Sequence, residues 1–237
     1  MPSLSLLLLP AATLLASLLL GSVPSAYLIV RAANGEDVTD HGSGNVGAMN
    51  VRRSTGSWKW FVLAMVADVL KGVIPVAIAK VLAGLGAKLF LPTTLALGAL
   101  KGEAALLAYL AVWAAAAGAL VGHNYSIWMA LIKKEFRRTG KGLATGGGAL
   151  LVYDWRLCVA VVVVGLATIA ITRYMMAGQV AAALTLPVAS FVLRSHDWPF
   201  TLLMGMVVYA AHHQRFIGLL RGKEPELYVN DQMGPRG

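Results

Sequence analysis

Charge is what this chain has least of. Of its 237 residues only 13% are charged, 11 of them are Asp or Glu, and 58% are hydrophobic. A soluble domain carries about 25% charged residues, so the shortfall excludes a protein with a wholly water-facing surface. Cysteine is almost absent. Cys158 stands alone inside an apolar run, which excludes a disulfide framework and leaves it a small packing residue. Five histidines without a clustered carboxylate or thiol partner make no metal-ligand set. No Lys or Arg precedes Arg31, so the first apolar stretch lacks the basic region of a cleaved signal peptide and reads as a retained span. The chain has no internal repeat and contains neither a Gly-x-x-x-x-Gly-Lys-Ser/Thr phosphate loop nor a Gly-x-Ser-x-Gly nucleophile elbow.

What is present is hydrophobic length. A helix needs about 20 apolar residues to cross hydrocarbon, where the backbone must bond to itself. Seven membrane segments follow, at residues 5–30, 58–85, 104–132, 143–152 (a half-span), 157–172, 175–193 and 200–220. A Gly- and Pro-broken stretch at 89–100 reads as a short re-entrant or interfacial piece. The expected fold is all-α: a polytopic integral membrane helical bundle forming one domain over residues 1–222, with a polar tail at 223–237. The net charge is +9. The basic residues sit mainly at span ends, which points to anionic lipid and away from nucleic acid. With the N-terminus outside, 14 of the 20 basic residues fall on one side and five on the other. The positive-inside rule then makes the richer side, and the C-terminus, cytoplasmic.

Two polar segments on that side are rich in glycine. The first runs His41-Gly42-Ser43-Gly44-Asn45-Val46-Gly47-Ala48-Met49-Asn50-Val51-Arg52-Arg53. Glycines allow turns that aim successive N–H groups at an anion, Ser43, Asn45 and Asn50 add neutral donors, and Arg53 adds a forked cation. A flexible loop at a span end has the same composition, so both readings stand. The second runs Arg137-Arg138-Thr139-Gly140-Lys141-Gly142-Leu143-Ala144-Thr145. Here a lysine flanked by glycines opens a helix, whose N-terminal N–H groups suit a phosphate. Arg137 and Arg138 read as membrane-side anchors. Asp68 and Lys71 lie one turn apart inside a span, a spacing that lets them neutralise each other and support a site. His123 ends the third span and His213 lies near the end of the last. Each could donate a hydrogen bond or act as a base, and each could equally be a solvated interfacial residue.

Together these segments resemble the bacterial PlsY-type acyl-phosphate:glycerol-3-phosphate acyltransferases. The run Gly42–Asn50 with Arg53 is similar to the family's GSGNxGAxN-V-x-R. Asp68-Val69-Leu70-Lys71-Gly72 looks like its D-x-L-K-G. Gly122-His123 and Gly140-Lys141-Gly142-Leu143-Ala144-Thr145 resemble its GH and GKG-V-A-T, and Leu219-Leu220-Arg221-Gly222-Lys223-Glu224 its ending. There are departures. Met49 replaces the usual Thr, Tyr125-Ser126 replaces an aromatic-Pro, and the stretch from His123 to Lys141 is longer. The family's H-R-x-N-I becomes His213-Gln214-Arg215-Phe216-Ile217, so His213 is kept and the Asn donor is lost.

The resemblance implies acyl transfer from an acyl phosphate to the 1-hydroxyl of glycerol 3-phosphate, giving lysophosphatidic acid and phosphate without metal or coenzyme A. It assigns catalysis to Lys141, Ser43 and His213. Phosphate binding falls to Gly42, Ser43, Gly44, Asn45, Asn50, Arg53, Gly140, Lys141, Gly142, Thr145 and His213, with support from Asp68, Lys71 and His123. It implies a bacterial inner-membrane location, membrane lipid around the chain, and a soluble acyl-phosphate-producing enzyme as a partner. Two readings compete. A transporter of phosphorylated solutes would also use cationic Gly-rich sites, though it more often carries a repeat and broken helices at the midplane. A diverged family member with an altered acceptor or lost activity would account for Phe216.

Overall fold

Apolar runs of this length can satisfy their backbone in lipid only as helix, and helix is what forms. The structure is a computed structural model that describes residues 4–97, 100–193 and 198–223. Its helices are α1 (Leu4–Gly21), α2 (Ser25–Asn34), α3 (Ala48–Thr55), α4 (Trp58–Leu82), α5 (Thr93–Leu97), α6 (Gly102–Asn124), α7 (Ile127–Lys133), α8 (Leu143–Tyr153), α9 (Trp155–Thr172), α10 (Met175–Val192) and α11 (Trp198–Leu220). No strand forms among the described residues. Among the described residues five stretches are long and apolar enough to cross a membrane: Leu8–Asn34, Trp58–Leu82, Gly102–Lys133, Trp155–Thr172 and Met175–Val192. Leu143–Tyr153 and Trp198–Ala210 are shorter apolar helices. The 89–100 stretch holds the short α5. Residues 194–197 and those from 224 onward, which include the polar tail, lie outside the described residues.

Two segments that read as single spans are each broken. The first splits into α1 and α2 at Ser22-Val23-Pro24, and the third splits into α6 and α7 at Tyr125-Ser126. Hydropathy passes through both breaks, because neither interrupts the apolar run. The breaks touch: the Ser126 hydroxyl donates to the Ser22 carbonyl and accepts from the Met129 N–H at 3.1 Å, capping α7. Ser126 thus gives a role to one departure from the family pattern, since a serine can cap a helix start.

Helix packing is set by glycine. A Cβ on Gly118 would lie 2.5 Å from the Leu14 carbonyl oxygen, and one on Gly122 would lie 2.2 Å from that of Leu18. The matching order of contacts makes α1 and α6 parallel. α4 and α8 are parallel as well, since Thr145 bonds to Asp68 toward one end and Val152 to Lys80 toward the other; a Cβ on Gly72 would lie 2.0 Å from Thr145 O, and one on Gly148 would lie 2.1 Å from Val69 O. Lipid tails are as apolar as leucine, so close backbone approach is what drives such pairs together.

The far end of α8 is anchored by polar groups. Lys80 is fully buried. Its ammonium donates to the carbonyls of Leu89 (3.0 Å), Leu91 (2.8 Å) and Val152 (2.6 Å). The Thr93 hydroxyl donates to Tyr153 O at 2.6 Å. The last two carbonyls of α8 are therefore partnered, as buried helix ends must be. Around them Val76, Ala79, Val112, Tyr153 and Phe200 form a core.

Candidate functional site

The first Gly-rich segment is built around Asn50. This side chain is 2% exposed. Its amide donates to the carbonyls of Val38 (2.7 Å), His41 (3.0 Å) and Asn45 (3.0 Å), and its oxygen accepts from the Ser43 N–H at 3.4 Å. Asn50 therefore shapes the loop from beneath. This corrects the expectation that it offers a donor to phosphate, because those donors already serve loop carbonyls. Gly42 has φ +51°, and a Cβ there would meet Asn50 Oδ1 at 2.5 Å and Arg53 Cδ at 2.9 Å. Ser43 and Arg53 are exposed above this frame, with Gly44 and Asn45 partly so. Arg52 turns away, its guanidinium stacked 4.8 Å over Trp58. Asn50→Asp is expected to destabilise the protein by about 1–3 kcal/mol, since it sets an acceptor against three carbonyls. Thermal unfolding should show a clear loss in this variant and little change in Ser43→Ala.

The second segment is clamped to the end of α6. The Thr139 N–H donates to Asn124 O at 2.8 Å, and its hydroxyl lies 3.2 Å from His123 O and accepts from the Ser126 N–H at 3.2 Å. Gly140 packs on the His123 ring, where a Cβ would come within 2.4 Å. Gly142 has φ +75°, and a Cβ there would sit 2.3 Å from Leu120 Cδ1. The glycines around Lys141 are thus demanded by the protein's own packing, and Lys141 is held half-buried between them. Thr145 is fully buried and its hydroxyl donates to Asp68 O at 2.9 Å. This corrects its assignment to phosphate: Thr145 joins α8 to α4.

One backbone hydrogen bond brings the two segments together. The Val46 N–H donates to Thr139 O at 2.7 Å. From that point α3 begins after Gly47 and α8 begins after Gly142, and neither N-terminus has a side-chain cap. A second tie is the Lys133–Asp37 ion pair at 2.6 Å. Burial pushes the Asp37 carboxyl up. The Lys133 ammonium and the hydroxyl and N–H of Thr39 outweigh that and hold it below its ordinary value. Asp37 carries no motif that sequence reading could have used.

Behind this junction lies a buried polar cluster. The Ser25 hydroxyl donates to Asp68 Oδ1 at 2.6 Å, and the Lys71 ammonium donates to Asp68 Oδ1 at 2.6 Å and to Ser25 Oγ at 2.8 Å. His123 Nδ1 is 3.8 Å from the same carboxylate. Asp68 and Lys71 pair as their spacing suggested. Ser25 was not singled out from the sequence. It enters because the break at Pro24 turns the start of α2 toward α4.

The third segment stands apart on α11. His213 is exposed and its Nδ1 bonds to Ala210 O at 2.9 Å. His212 is buried, with Nδ1 2.7 Å from Val208 O. The Phe216 ring packs edge-on to Tyr209, centroids 5.8 Å apart. A shared cavity links α11 to the other segments. An apolar cleft runs along α8 among α6, α10 and α11. Gly142, Leu143 and Val208 line it at the end nearest Lys141, and Tyr153, Phe200 and Thr201 at the other. Among the described residues no cluster of three or more His, Cys, Asp or Glu could hold a metal ion.

This arrangement sets cationic and N–H donors near one end of an apolar slot. A sequence model described as glycerol-3-phosphate acyltransferase matches residues 11–222. The chain is 33% identical over 217 residues to a glycerol-3-phosphate acyltransferase of Thermus thermophilus, covering 91% of this chain and 94% of that one. It is 32% identical over 221 residues to the Gluconobacter oxydans protein of the same description, covering 91% and 92%. Two crystal structures of PlsY, an integral membrane glycerol 3-phosphate acyltransferase, share the fold. The glycerol 3-phosphate form has a TM-score of 0.72 at 24% identity, over 93% of this chain and 96% of that one. The lysophosphatidic acid form has a TM-score of 0.70 at 25% identity, over 92% and 94%. With a family match across nearly its whole length and relatives above 30% identity that span it, the chain belongs to the glycerol-3-phosphate acyltransferase family.

Proposed function

We propose that the protein transfers a fatty acyl group from acyl phosphate to the 1-hydroxyl of glycerol 3-phosphate, releasing lysophosphatidic acid and inorganic phosphate. The observation that carries this reading is the Val46–Thr139 bond at 2.7 Å. It sets the Gly42–Arg53 loop beside Lys141 at the mouth of the apolar cleft. Two phosphates and one acyl chain need that combination: cationic donors at the surface and an apolar slot below. Arg53 and the Ser43, Gly44 and Asn45 loop bind one phosphate. Lys141 and the uncapped start of α8 stabilise charge developing on the carbonyl and leaving phosphate. The family resemblance adds His213 of α11 as a further donor to phosphate. The acceptor hydroxyl attacks directly, since acyl phosphate is already activated and positioning supplies much of the rate. Family membership favours this reading over a solute transporter.

In this reading one membrane domain covers residues 1–222 with a polar tail after it. Seven segments cross or enter the bilayer, α8 as a half-span, with the N-terminus outside. Parallel α1–α6 and α4–α8 pairs support that alternation, because each pair is separated by an even number of crossings. The site then faces the cytoplasm at the bacterial inner membrane, where a soluble enzyme supplies acyl phosphate.

Purified protein given palmitoyl phosphate and glycerol 3-phosphate is expected to yield lysophosphatidate with no added metal or coenzyme A. Folded protein that gives no product with acyl phosphate would sink the reading. Phe216→Asn should lower the KM for glycerol 3-phosphate by about tenfold, as a hydrogen bond to a charged group contributes about 1.5–3 kcal/mol. An unchanged KM would mean that α11 handles the acceptor without this position.

A further inference from the structure

The cleft along α8 is graded from mouth to floor, and the floor is rigid. Gly142 lies at the mouth, Gly146 and Gly147 follow, then Leu150, and Tyr153 closes the far end. These positions recur at helical spacing, so the slot follows α8 for about 16 Å at 1.5 Å per residue. Small residues keep its middle open: a Cβ on Gly147 would meet nothing within 4 Å. The far wall is different. Tyr153 is 1% exposed, and its hydroxyl accepts from Trp113 Nε1–H at 2.7 Å. Trp113 stacks on Phe200 at 4.3 Å with 12° between the rings. The backbone behind Tyr153 is pinned by Thr93 and Lys80. A lone leucine could change rotamer to admit another methylene. Three aromatic rings locked by a hydrogen bond, a stack and two carbonyl anchors cannot do so without breaking contacts.

We infer that the Tyr153–Phe200 wall, buttressed by Trp113, is the stop that sets the longest acyl chain this enzyme accepts. The inference rests on the reading that the donor's acyl chain occupies the cleft. Tyr153 and Phe200 meet the chain terminus, and Trp113 acts through them as a positioning residue.

The test is a series of lauroyl, myristoyl, palmitoyl and stearoyl phosphates with the purified protein and two variants. Phe200→Ala lengthens the slot and should raise kcat/KM for the longest donors relative to the shorter ones by about tenfold, the scale of one or two methylenes in a fitted pocket. Gly147→Leu plugs the slot halfway and should cut kcat/KM for palmitoyl relative to lauroyl phosphate by at least about tenfold. The KM for glycerol 3-phosphate should hold in both. Chain-length ratios unchanged within about twofold in folded Gly147→Leu would overturn the inference, as the Leu side chain has open space to enter. Thermal stabilisation by the same acyl phosphates without acceptor reads the slot without turnover. If the wild type makes no lysophosphatidate, the functional reading fails. Stabilisation that peaks at one chain length, and at a shorter one in Gly147→Leu, would still support the stop. Stabilisation indifferent to chain length would overturn it.

Discussion

Lys141→Ala is expected to lower kcat for acyl transfer by about 100- to 1,000-fold, the range seen when one preorganised donor to a developing charge is removed. Thr139 is clamped to the end of α6 by bonds to Asn124 and His123, and Gly140 and Gly142 press against His123 and Leu120. Lys141 therefore has little freedom at the start of α8, where its charge adds to the helix N-terminal dipole. That position lies at the mouth of the apolar cleft, where the acyl carbonyl must sit if its chain enters the slot. The loss should fall on kcat more than on KM, because the charge Lys141 meets is larger in the transition state than in the bound substrate. Lys141→Arg should restore only part of the rate, since a planar fork replaces a compact ammonium. Arg53→Ala should instead raise the KM for glycerol 3-phosphate. Steady-state kinetics beside thermal unfolding separates these outcomes. A folded Lys141→Ala variant with kcat within about threefold of wild type would remove Lys141 from the chemistry.

Gly148→Ala should cost at least about 3 kcal/mol, the upper range for overpacking a closely fitted core. The added Cβ would lie 2.1 Å from Val69 O and 2.9 Å from its carbonyl carbon. Both are backbone atoms of a long helix, so no rotamer change relieves the contact, and α4 and α8 must part. Parting them pulls Thr145 from Asp68 O and moves Lys141 away from the Gly42–Arg53 loop. The adjacent Gly147→Ala is the contrast. Its Cβ meets open space, and exchanging a helical Gly for Ala stabilises by about 0.5–1 kcal/mol. In detergent the unfolding midpoint should fall by roughly 6–12 °C for the first variant and hold or rise for the second, at about 2–4 °C per kcal/mol. Equal midpoints would mean that α4 and α8 are not held at backbone contact.

These neighbouring glycines show where sequence reading stops. In Gly146-Gly147-Gly148 three identical residues meet a side chain, open space and a backbone. Nothing local distinguishes them. Asn50 and Thr145 carry the same lesson. Both sit in motifs that suit phosphate, and both are buried and bonded to the protein's own carbonyls. A polar side chain next to a glycine can face substrate or frame. The choice depends on which distant carbonyl comes within reach.

The sequence by itself determined the helical membrane class, because scarcity of charge and apolar length act through local backbone energetics. It also determined which polar segments could carry an anion, because Gly, Lys and Arg impose backbone freedom and charge wherever they fall. The Asp68–Lys71 pair was legible for the same reason, since one helical turn fixes its spacing. Tertiary structure alone decided the rest. It broke two spans at Ser22–Pro24 and Tyr125–Ser126 and joined the breaks. It brought Val46 to Thr139 across more than ninety residues of chain and added Ser25 to the buried pair. It also opened a slot beside α8 that ends on Tyr153 and Phe200. Each of these depends on contact between segments far apart in the chain, set by how closely they approach, and that distance has no local signature.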